Sequence, residues 1–314
     1  MHVSFSSGGE NMSTKSRGLR NRQTAAVARM LFFVCAAMAV VALAVIMAYI
    51  FGEGVPFLFR YGLLDFLSGR QWQPRGDIYG IFPMILASIY STLGAILLGV
   101  PVGILAAVCI SEFAPRMVRH IVKPMVQLLA AIPSVVYGFF GLVVFVPMID
   151  RVFGGGGNSL LAVIIVLAVM ILPTIISMAS TSLEAVPGSL REASLALGCS
   201  KAETIFKVVM PAAKSGIFAG VVLGIGRAVG ETMAVMMVSG NTVRIPAFFK
   251  DSGYTWDWLL KSVRTLTANC ALEMGYASGD HQRALFATGV VLFFFIMILN
   301  LALAWIKRRS GGKV

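Results

Sequence analysis

Charged residues are scarce in this chain. Asp, Glu, Lys and Arg make up only 13% of its 314 residues, whereas they make up about 25% of an average soluble domain. Hydrophobic residues account for 58% instead, and the mean hydropathy is +0.85. This composition excludes an ordinary soluble domain and predicts an integral membrane protein.

Patterns that carry catalytic chemistry are also lacking. The four cysteines form no CxxC pair, and His281 has no companion at ligand spacing, so we expect a solvated histidine and no metal. Cys35 and Cys109 fall in apolar runs and are expected to be buried, inert thiols. The sequence contains no G-x-x-x-x-G-K loop. The glycine run at 154–157 is the nearest candidate, and no lysine follows it. We therefore expect no enzyme activity, no cofactor and no ATP site in this chain.

Long apolar runs dominate what is present. A helix needs roughly 20 mostly apolar residues to span a bilayer, and the six longest runs reach that length. They predict an all-α integral membrane protein with six transmembrane helices, at about residues 30–51, 81–110, 125–149, 159–181, 216–239 and 285–306.

Basic residues lie mostly on one side of these spans. With the N-terminus placed inside, the inner segments carry 16 of the 26 Lys and Arg residues, the outer segments carry 9, and Arg227 lies within a span. The acidic residues divide into 5 inside, 8 outside and one within a span. This positive-inside asymmetry predicts that both termini are cytoplasmic. It also accounts for the net charge of +12 without a nucleic-acid partner.

The runs and charges divide the chain into segments. The first run is long and has no cleavage site, so it is expected to remain as an uncleaved span. Trp72 and Tyr79, outside the membrane, fit an interfacial helix and an ordinary packed loop equally well. The predicted organisation is a disordered basic cytoplasmic tail at 1–28, the first span with an outer interfacial segment at 29–80, a five-span core at 81–306 with an inner loop at 182–215 and an outer loop at 240–284, and a cytoplasmic tail at 307–314.

The fifth run carries two charges near its middle. Arg227 and Glu231 are four residues apart, so in a continuous helix they would share one face and partly neutralise each other. Thr232 adds a hydroxyl beside them. The pair is either a structural ion pair or part of an anion site in a permeation path. Because charges inside a membrane are costly, the functional interpretation is favoured.

Prolines interrupt other runs. Pro101 predicts a kink or a strong tilt in the second run. In the third run, Pro133 is followed by Ser134 and Tyr137. This segment is either a simple kink or a place where irregular backbone and polar side chains line a cavity.

Two capping boxes occur in the inner loop. Ser189 with Glu192, and Ser200 with Glu203, have the Ser-x-x-Glu spacing that starts a helix. Gly198 lies between them and can end the first helix in a left-handed conformation. The loop therefore predicts two short helices with a sharp bend between them.

The second of these helices is amphipathic and is expected to stop before Pro211. Its apolar face would fit a groove on a partner protein, and the alternative is a helix pair folded back on its own bundle. That face is formed by Ala202, Ile205, Phe206 and Val209.

Two stretches resemble a known family. Residues 192–211 read E-A-S-x3-G-x9-V-V-M-P, with Glu192 and Ala193 leading. They resemble the E-A-A-x3-G-x9-I-x-L-P loop of the permease subunits of bacterial ABC importers, with three mild departures. Residues 227–234, RAVGETMA, resemble the R-A-x-G-E-T segment of the permeases of the phosphate importer, and the PstC type more than the PstA type.

The resemblance implies a type I ABC importer permease fold in the bacterial inner membrane and a role in phosphate import. It implies surrounding lipid and three protein partners: a PstA-type second permease, a PstB-type cytoplasmic ATPase dimer, and a periplasmic or lipid-anchored PstS-type phosphate-binding protein. Arg227 would then attract the anion, and Glu231 would hold Arg227 while the path is empty. The alternatives are a permease for sulfate, molybdate or phosphonate, and a secondary transporter without an ATPase.

Overall fold

The computed structural model describes residues 10–246 and 257–311, and the side chains of residues 28–246 and 257–305. The chain divides into two compact units, residues 1–52 and 53–314, which are described separately. In the first unit, none of the residues in the most apolar 18-residue stretch of helix α1 is buried. Helix α1 begins at Glu10, so the prediction of a disordered tail is wrong for residues 10–28. That stretch has no proline, and its Arg, Lys, Gln and Ala residues favour a helix.

Helices make up nearly all of the regular structure. One π turn extends α3 and two others join α-helices, and a two-stranded antiparallel sheet lies between α2 and α3. The α-helices are α1 (Glu10–Tyr61), α2 (Leu63–Ser68), α3 (Phe82–Val108), α4 (Arg116–Ala131), α5 (Ser134–Phe140), α6 (Val146–Phe153), α7 (Leu160–Glu184), α8 (Gly188–Ala196), α9 (Lys201–Thr204), α10 (Met210–Gly230), α11 (Met233–Val238), α12 (Leu266–Glu273) and α13 (Asp280–Gly311), the strands are β1 (Trp72–Gln73) and β2 (Ile78–Tyr79), and the π turns are Cys109–Phe113, Gly141–Phe145 and Ile205–Val209.

Within the described residues, six helical stretches are long and apolar enough to cross a membrane, which confirms the predicted number of spans. Two of them combine α-helices through a π turn: α5 with α6, and α9 with α10. The six stretches are Ala28–Tyr61, Phe82–Phe113, Ser134–Phe153, Leu160–Glu184, Lys201–Gly230 and Asp280–Trp305.

Helix α7 lies at the centre of the second unit. In its most apolar 18-residue stretch, 61% of the residues are buried, the largest share among the six spans. This is expected for a helix that is apolar on nearly all sides. Helix α3 packs closely against α7 because small residues let the two backbones approach. A Cβ atom on Gly94, Gly99 or Gly103 of α3 would come within 2.5 to 2.9 Å of Ile164, Ile171 or Ile175 of α7.

The third apolar run is not one helix. Helix α4 ends at Ala131 and α5 begins at Ser134. Ile132 has an extended backbone, with φ −64° and ψ 130°, which is the conformation preferred by a residue that precedes proline. Pro133 therefore breaks the run, whereas Pro101 lies inside α3 without ending that helix.

The prediction that the second loop helix stops before Pro211 is wrong. From Lys201 the chain stays helical through the π turn Ile205–Val209 and into α10. Pro211 lies in the first turn of α10, directly after that π turn. The wider turn changes the local hydrogen-bond pattern, so a residue without a backbone donor is tolerated there.

A hairpin packs beyond α2. Trp72 pairs with Tyr79 and Gln73 pairs with Ile78. Trp72 and Tyr79 are only 9% and 2% exposed, so this part of the outer segment is a packed loop, while α2 supplies a short helix before it. Burial, and then a hydrogen bond to Asp77, raise the pKa of Tyr79 to about 12. The phenol therefore stays neutral at physiological pH.

The prediction that His281 is solvated is wrong. Its side chain is 14% exposed, and Nε2 lies 2.8 Å from Oε2 of Glu273. The Glu273 carboxylate is 7% exposed and also accepts hydrogen bonds from Trp72 Nε1 at 2.7 Å and Arg264 Nη1 at 2.6 Å. A buried carboxylate needs several donors, and His281 is placed to be one of them.

Candidate functional site

The fifth span ends between the two charges that the sequence analysis singled out. Helix α10 stops at Gly230, and Glu231 has an extended backbone with φ −72° and ψ 127°. The Glu231 carboxylate accepts the backbone N–H of Ala234 at 3.1 Å, in the first turn of α11. No ion pair joins Arg227 to Glu231 in the part of the chain that the structure describes. The predicted stacked pair is therefore wrong: the acid caps the next helix instead of facing the arginine one turn back.

Arg227 faces a cavity of about 790 Å³ between α7, α10 and α13. Its Nη1 lies 3.4 Å from the hydroxyl of Thr174, which is a long contact for a hydrogen bond. Asn300 of α13 supplies a third polar side chain to the lining. The sequence analysis missed Thr174 and Asn300, although a polar residue inside an apolar run is the signal that could have found them. The remaining lining residues are Phe218, Ala219, Val222, Leu223, Gly226, Leu303 and Ala304.

The glycines of α10 divide between two faces. A Cβ on Gly220 would lie 2.7 Å from Met178 Cβ, and one on Gly224 would lie 3.1 Å from Ile175, both on α7. Nothing lies within 4 Å of the corresponding positions on Gly226 and Gly230. One face of α10 is therefore packed against α7, while the other is open beside Arg227.

The two helix breaks lie side by side. A Cβ on Gly138 of α5 would lie 2.7 Å from Ala234 of α11, and one on Gly141 would lie 2.9 Å from Val238. The numbering increases in the same direction along both helices, so they run in parallel. Ser134 begins α5, one turn before Gly138.

Polar groups of the predicted path lie at these breaks. The Tyr137 hydroxyl donates to the carbonyl of Leu129 at 2.7 Å, which bridges the break before α5. Thr232 donates to the carbonyl of Gly230 at 3.3 Å. Ser134 is half-buried.

The inner loop contains one of the two predicted capping boxes. Helix α8 begins after Pro187 without a side-chain cap, so the prediction that Ser189 and Glu192 form a box is wrong. Pro187 takes the capping position, and Ser189 already lies inside the first turn. The second box is confirmed: Ser200 Oγ accepts the N–H of Glu203 at 3.2 Å, and the Glu203 carboxylate accepts the N–H of Ser200 at 3.1 Å.

A bend joins the two loop helices. Gly198 has φ +84°, the left-handed conformation predicted for it. The buried hydroxyls of Ser194 and Thr204 lie 2.9 Å apart and tie α8 to α9 across the bend. Glu192 and Ala193 are exposed on α8.

The predicted apolar face of the second loop helix is only half buried. Ile205 and Val209 pack beneath the loop, whereas Ala202 and Phe206 are exposed. Exposed apolar side chains instead form what we call the loop patch, defined as Leu190, Leu195, Leu197 and Phe206, which are 43%, 49%, 85% and 49% exposed.

Arg191 fixes α8 to the spans. Its guanidinium donates to the carbonyls of Val186 at 2.6 Å and Leu183 at 2.7 Å, and to the Glu112 carboxylate at 2.8 Å. These contacts connect the loop to the end of α7 and to the π turn after α3. Sequence reasoning did not single out Arg191, because its partners are distant in the chain or belong to the backbone.

The four cysteines are free thiols. Cys35 and Cys109 are exposed in this chain, so the prediction that they are buried is wrong. Cys35 lies within α1, and Cys109 begins the π turn that follows α3. Burial raises the pKa of Cys270 to about 12. Among the described residues, no cluster of His, Cys, Asp and Glu could hold a metal.

Comparison with known proteins identifies relatives of the chain. Residues 99–312 match the family described as binding-protein-dependent transport system inner membrane component. The probable ABC transporter permease protein YqgH of Bacillus subtilis (strain 168) is 37% identical, over 93% of this chain and 96% of its own length. The phosphate transport system permease protein PstC of Pasteurella multocida (strain Pm70) is 31% identical over 86% and 88%, and PstC of Mesorhizobium japonicum is 35% identical over 76% and 76%.

Solved structures have a similar fold. The MetNI methionine ABC transporter, in an inward-facing conformation, aligns over 74% of this chain and 94% of its own, with 21% identity and a TM-score of 0.52. A bacterial alginate ABC transporter, in complex with alginate pentasaccharide-bound periplasmic protein, aligns over 87% and 93%, with 15% identity and a TM-score of 0.54. The type I ABC importer permease fold implied by the resemblance is therefore confirmed. The chain belongs to the family of binding-protein-dependent transport system inner membrane components, as a multi-pass inner-membrane permease of an ABC importer.

Proposed function

We propose that this chain is a permease subunit of an ATP-driven importer of inorganic phosphate. The observation that carries the proposal is the position of Arg227. This cation lies at the end of a broken spanning helix and faces a cavity of about 790 Å³, together with Thr174 and Asn300.

The chemistry of this group suits a tetrahedral oxyanion. A guanidinium presents several N–H donors in a planar fork and stays charged at any physiological pH. The hydroxyl of Thr174 and the amide of Asn300 can add neutral hydrogen bonds. A charge within a spanning segment is costly, and an anion bound in the cavity would offset part of that cost. The relatives named PstC support phosphate as the anion.

Glu231 receives a different role from the one first expected. Its carboxylate caps α11 and is not paired with Arg227. Phosphate at neutral pH still carries a proton and can donate an O–H to a carboxylate, whereas sulfate has no proton to donate. An acid at the helix break therefore favours hydrogen phosphate over sulfate.

In this proposal the path runs between this chain and a PstA-type second permease. Ser134, Tyr137 and Thr232 supply polar groups at the two breaks. A PstS-type binding protein delivers phosphate from outside, where the 240–284 loop lies. Both termini and the loop at 182–215 are cytoplasmic.

The loop patch is the proposed contact with a PstB-type ATPase dimer. Four large apolar side chains are exposed on a short, bent helix pair, and such a surface fits a groove on a partner. Arg191 and the Ser194–Thr204 pair hold this surface to the spans. Movement of the ATPase would thereby reach the helices that line the path.

The proposal is tested by phosphate uptake in vesicles that contain the full transporter. Arg227→Gln should abolish uptake, while the complex still assembles and hydrolyses ATP at a reduced rate. Arg151→Gln, at an exposed arginine in the last turn of α6, serves as the control and should transport normally. Wild-type uptake by Arg227→Gln would contradict the proposal, and failure to assemble would make Arg227 structural.

The same vesicles separate the alternatives. Sulfate, molybdate and phosphonate are tested as substrates and as competitors, each with its own titration. If one of these anions is taken up in preference to phosphate, that anion is the substrate. Uptake that continues without an ATPase would favour a secondary transporter.

A further inference from the structure

A second polar group lies toward the loop end of α7. Thr174, Ser177, Thr181 and Glu184 recur at helical spacing, so they share one face of this largely apolar helix. Those four side chains are half-buried or exposed. From Thr174 to Glu184 the face extends about 15 Å along the axis, which leads from Arg227 to the end of the bundle where α8 begins.

A small polar cavity opens beside this face. Its volume is about 40 Å³, enough for a water molecule or a few ligand atoms. Ser180 lines it and is 3% exposed, and its Oγ has no hydrogen-bond partner among the described residues. A buried hydroxyl without a partner is costly, so the geometry calls for a polar occupant. Lys123, Gln127, Ser177 and Thr181 also line this cavity.

Lys123 is the cation of this group, and Glu184 holds it. The Lys123 ammonium forms an ion pair with the Glu184 carboxylate, with side chains 30% and 35% exposed. One turn earlier on α4, Arg119 donates to the carbonyl of Ile110, which also lines the cavity. The cavity is thus lined by one cation, Lys123, with several neutral donors beside it and a second cation, Arg119, one turn away.

We propose that this cluster is a second oxyanion-binding site on the transport path, closer to the loop than Arg227, and we call it the second station. This inference rests on the proposed function. An arriving phosphate would compete with Glu184 for Lys123 and take hydrogen bonds from Ser180 and Gln127. When phosphate leaves, Glu184 takes the ammonium back, so the empty station presents no unpaired cation that would retain the anion.

The test compares variants in vesicles that contain the complete transporter. Lys123→Gln should lower the maximum rate of phosphate uptake by at least about tenfold, the effect of losing one charged hydrogen bond. Lys123→Arg should keep most of the rate. Glu184→Gln should keep the uptake rate within about threefold and hold phosphate more tightly, because the cation remains and its competitor is gone. Lys214→Gln, an exposed lysine on α10, is the matched control.

A purely structural ion pair gives a different pattern. It would make Lys123→Gln and Glu184→Gln equally harmful to uptake, and both would lower the melting temperature of the complex. That pattern would refute the second station. It would also be refuted if Lys123→Gln took up phosphate at the same rate as Lys214→Gln. If the wild type carries another oxyanion, the proposed function fails, and the same four variants test the station with that anion.

Discussion

At the scale of single residues, the two charges of the fifth span have separate tasks. Arg227 remains available to a ligand, because its nearest hydrogen-bonding contact is a long one to Thr174. Glu231 already accepts the N–H of Ala234, which satisfies a donor that would otherwise be free at the start of α11. Neutralising each residue should therefore produce a different defect.

Two substitutions at Glu231 separate its charge from its capping bond. Glu231→Gln retains an oxygen that can accept the Ala234 N–H, so the melting temperature should stay close to that of the wild type. The preference of the Glu231→Gln transporter for phosphate over sulfate should fall, because the amide no longer repels an unprotonated anion. Sulfate should therefore compete better with phosphate uptake. Glu231→Ala should also lose about 1 kcal/mol of stability with the cap. Unchanged sulfate competition in Glu231→Gln would refute the selectivity role.

At the scale of elements, the loop helices transmit movement only if they are fixed to the spans. Arg191 makes three hydrogen bonds of 2.6 to 2.8 Å to the end of α7 and the turn after α3. The exposed loop patch lies on the same short helices. A partner that moves the patch would therefore displace α7, and α7 carries Thr174 at the main cavity.

Arg191→Met tests this connection, because methionine keeps much of the apolar stem but loses every donor. The complex should still bind its ATPase through the loop patch. Phosphate uptake per ATP hydrolysed should fall by about tenfold, as expected when a hydrogen-bonded charge is lost. Arg116→Met, an exposed arginine on α4, is the control. Parallel loss of uptake and hydrolysis would show instead that Arg191 supports docking or folding.

Local signals in the sequence predicted elements well where no competing contact existed. Ser200 and Glu203 form their capping box because Ser200 has an extended backbone directly before the helix. Ser189 and Glu192 have the same spacing, but Pro187 begins the helix earlier and leaves Ser189 inside it. The break at Glu231 was missed because helical periodicity does not reveal a carboxylate that caps the following helix.

At the scale of the whole molecule, the spans could be predicted and the site only in part. Each apolar run exceeds the thickness of a bilayer, so the number of spans follows from length and hydropathy. Arg227 was found because a charge inside a run is conspicuous. Thr174 and Asn300 join it only after α7, α10 and α13 have packed around one cavity. Which side chains share a cavity depends on how the helices pack, and hydrophobic periodicity does not reveal that packing.

Orientation is the remaining property of the whole molecule, and the charge distribution predicts it. The segments on one side carry 16 basic and 5 acidic residues, and those on the other carry 9 and 8, so the first set should be cytoplasmic. Green fluorescent protein fused after residue 314 should fluoresce, and alkaline phosphatase inserted in the 240–284 loop should be active. The control is alkaline phosphatase in the 182–215 loop, which should be inactive. The reverse pattern would place Lys123 and the loop patch outside, where no cytoplasmic ATPase could reach them, and both proposals would fall together.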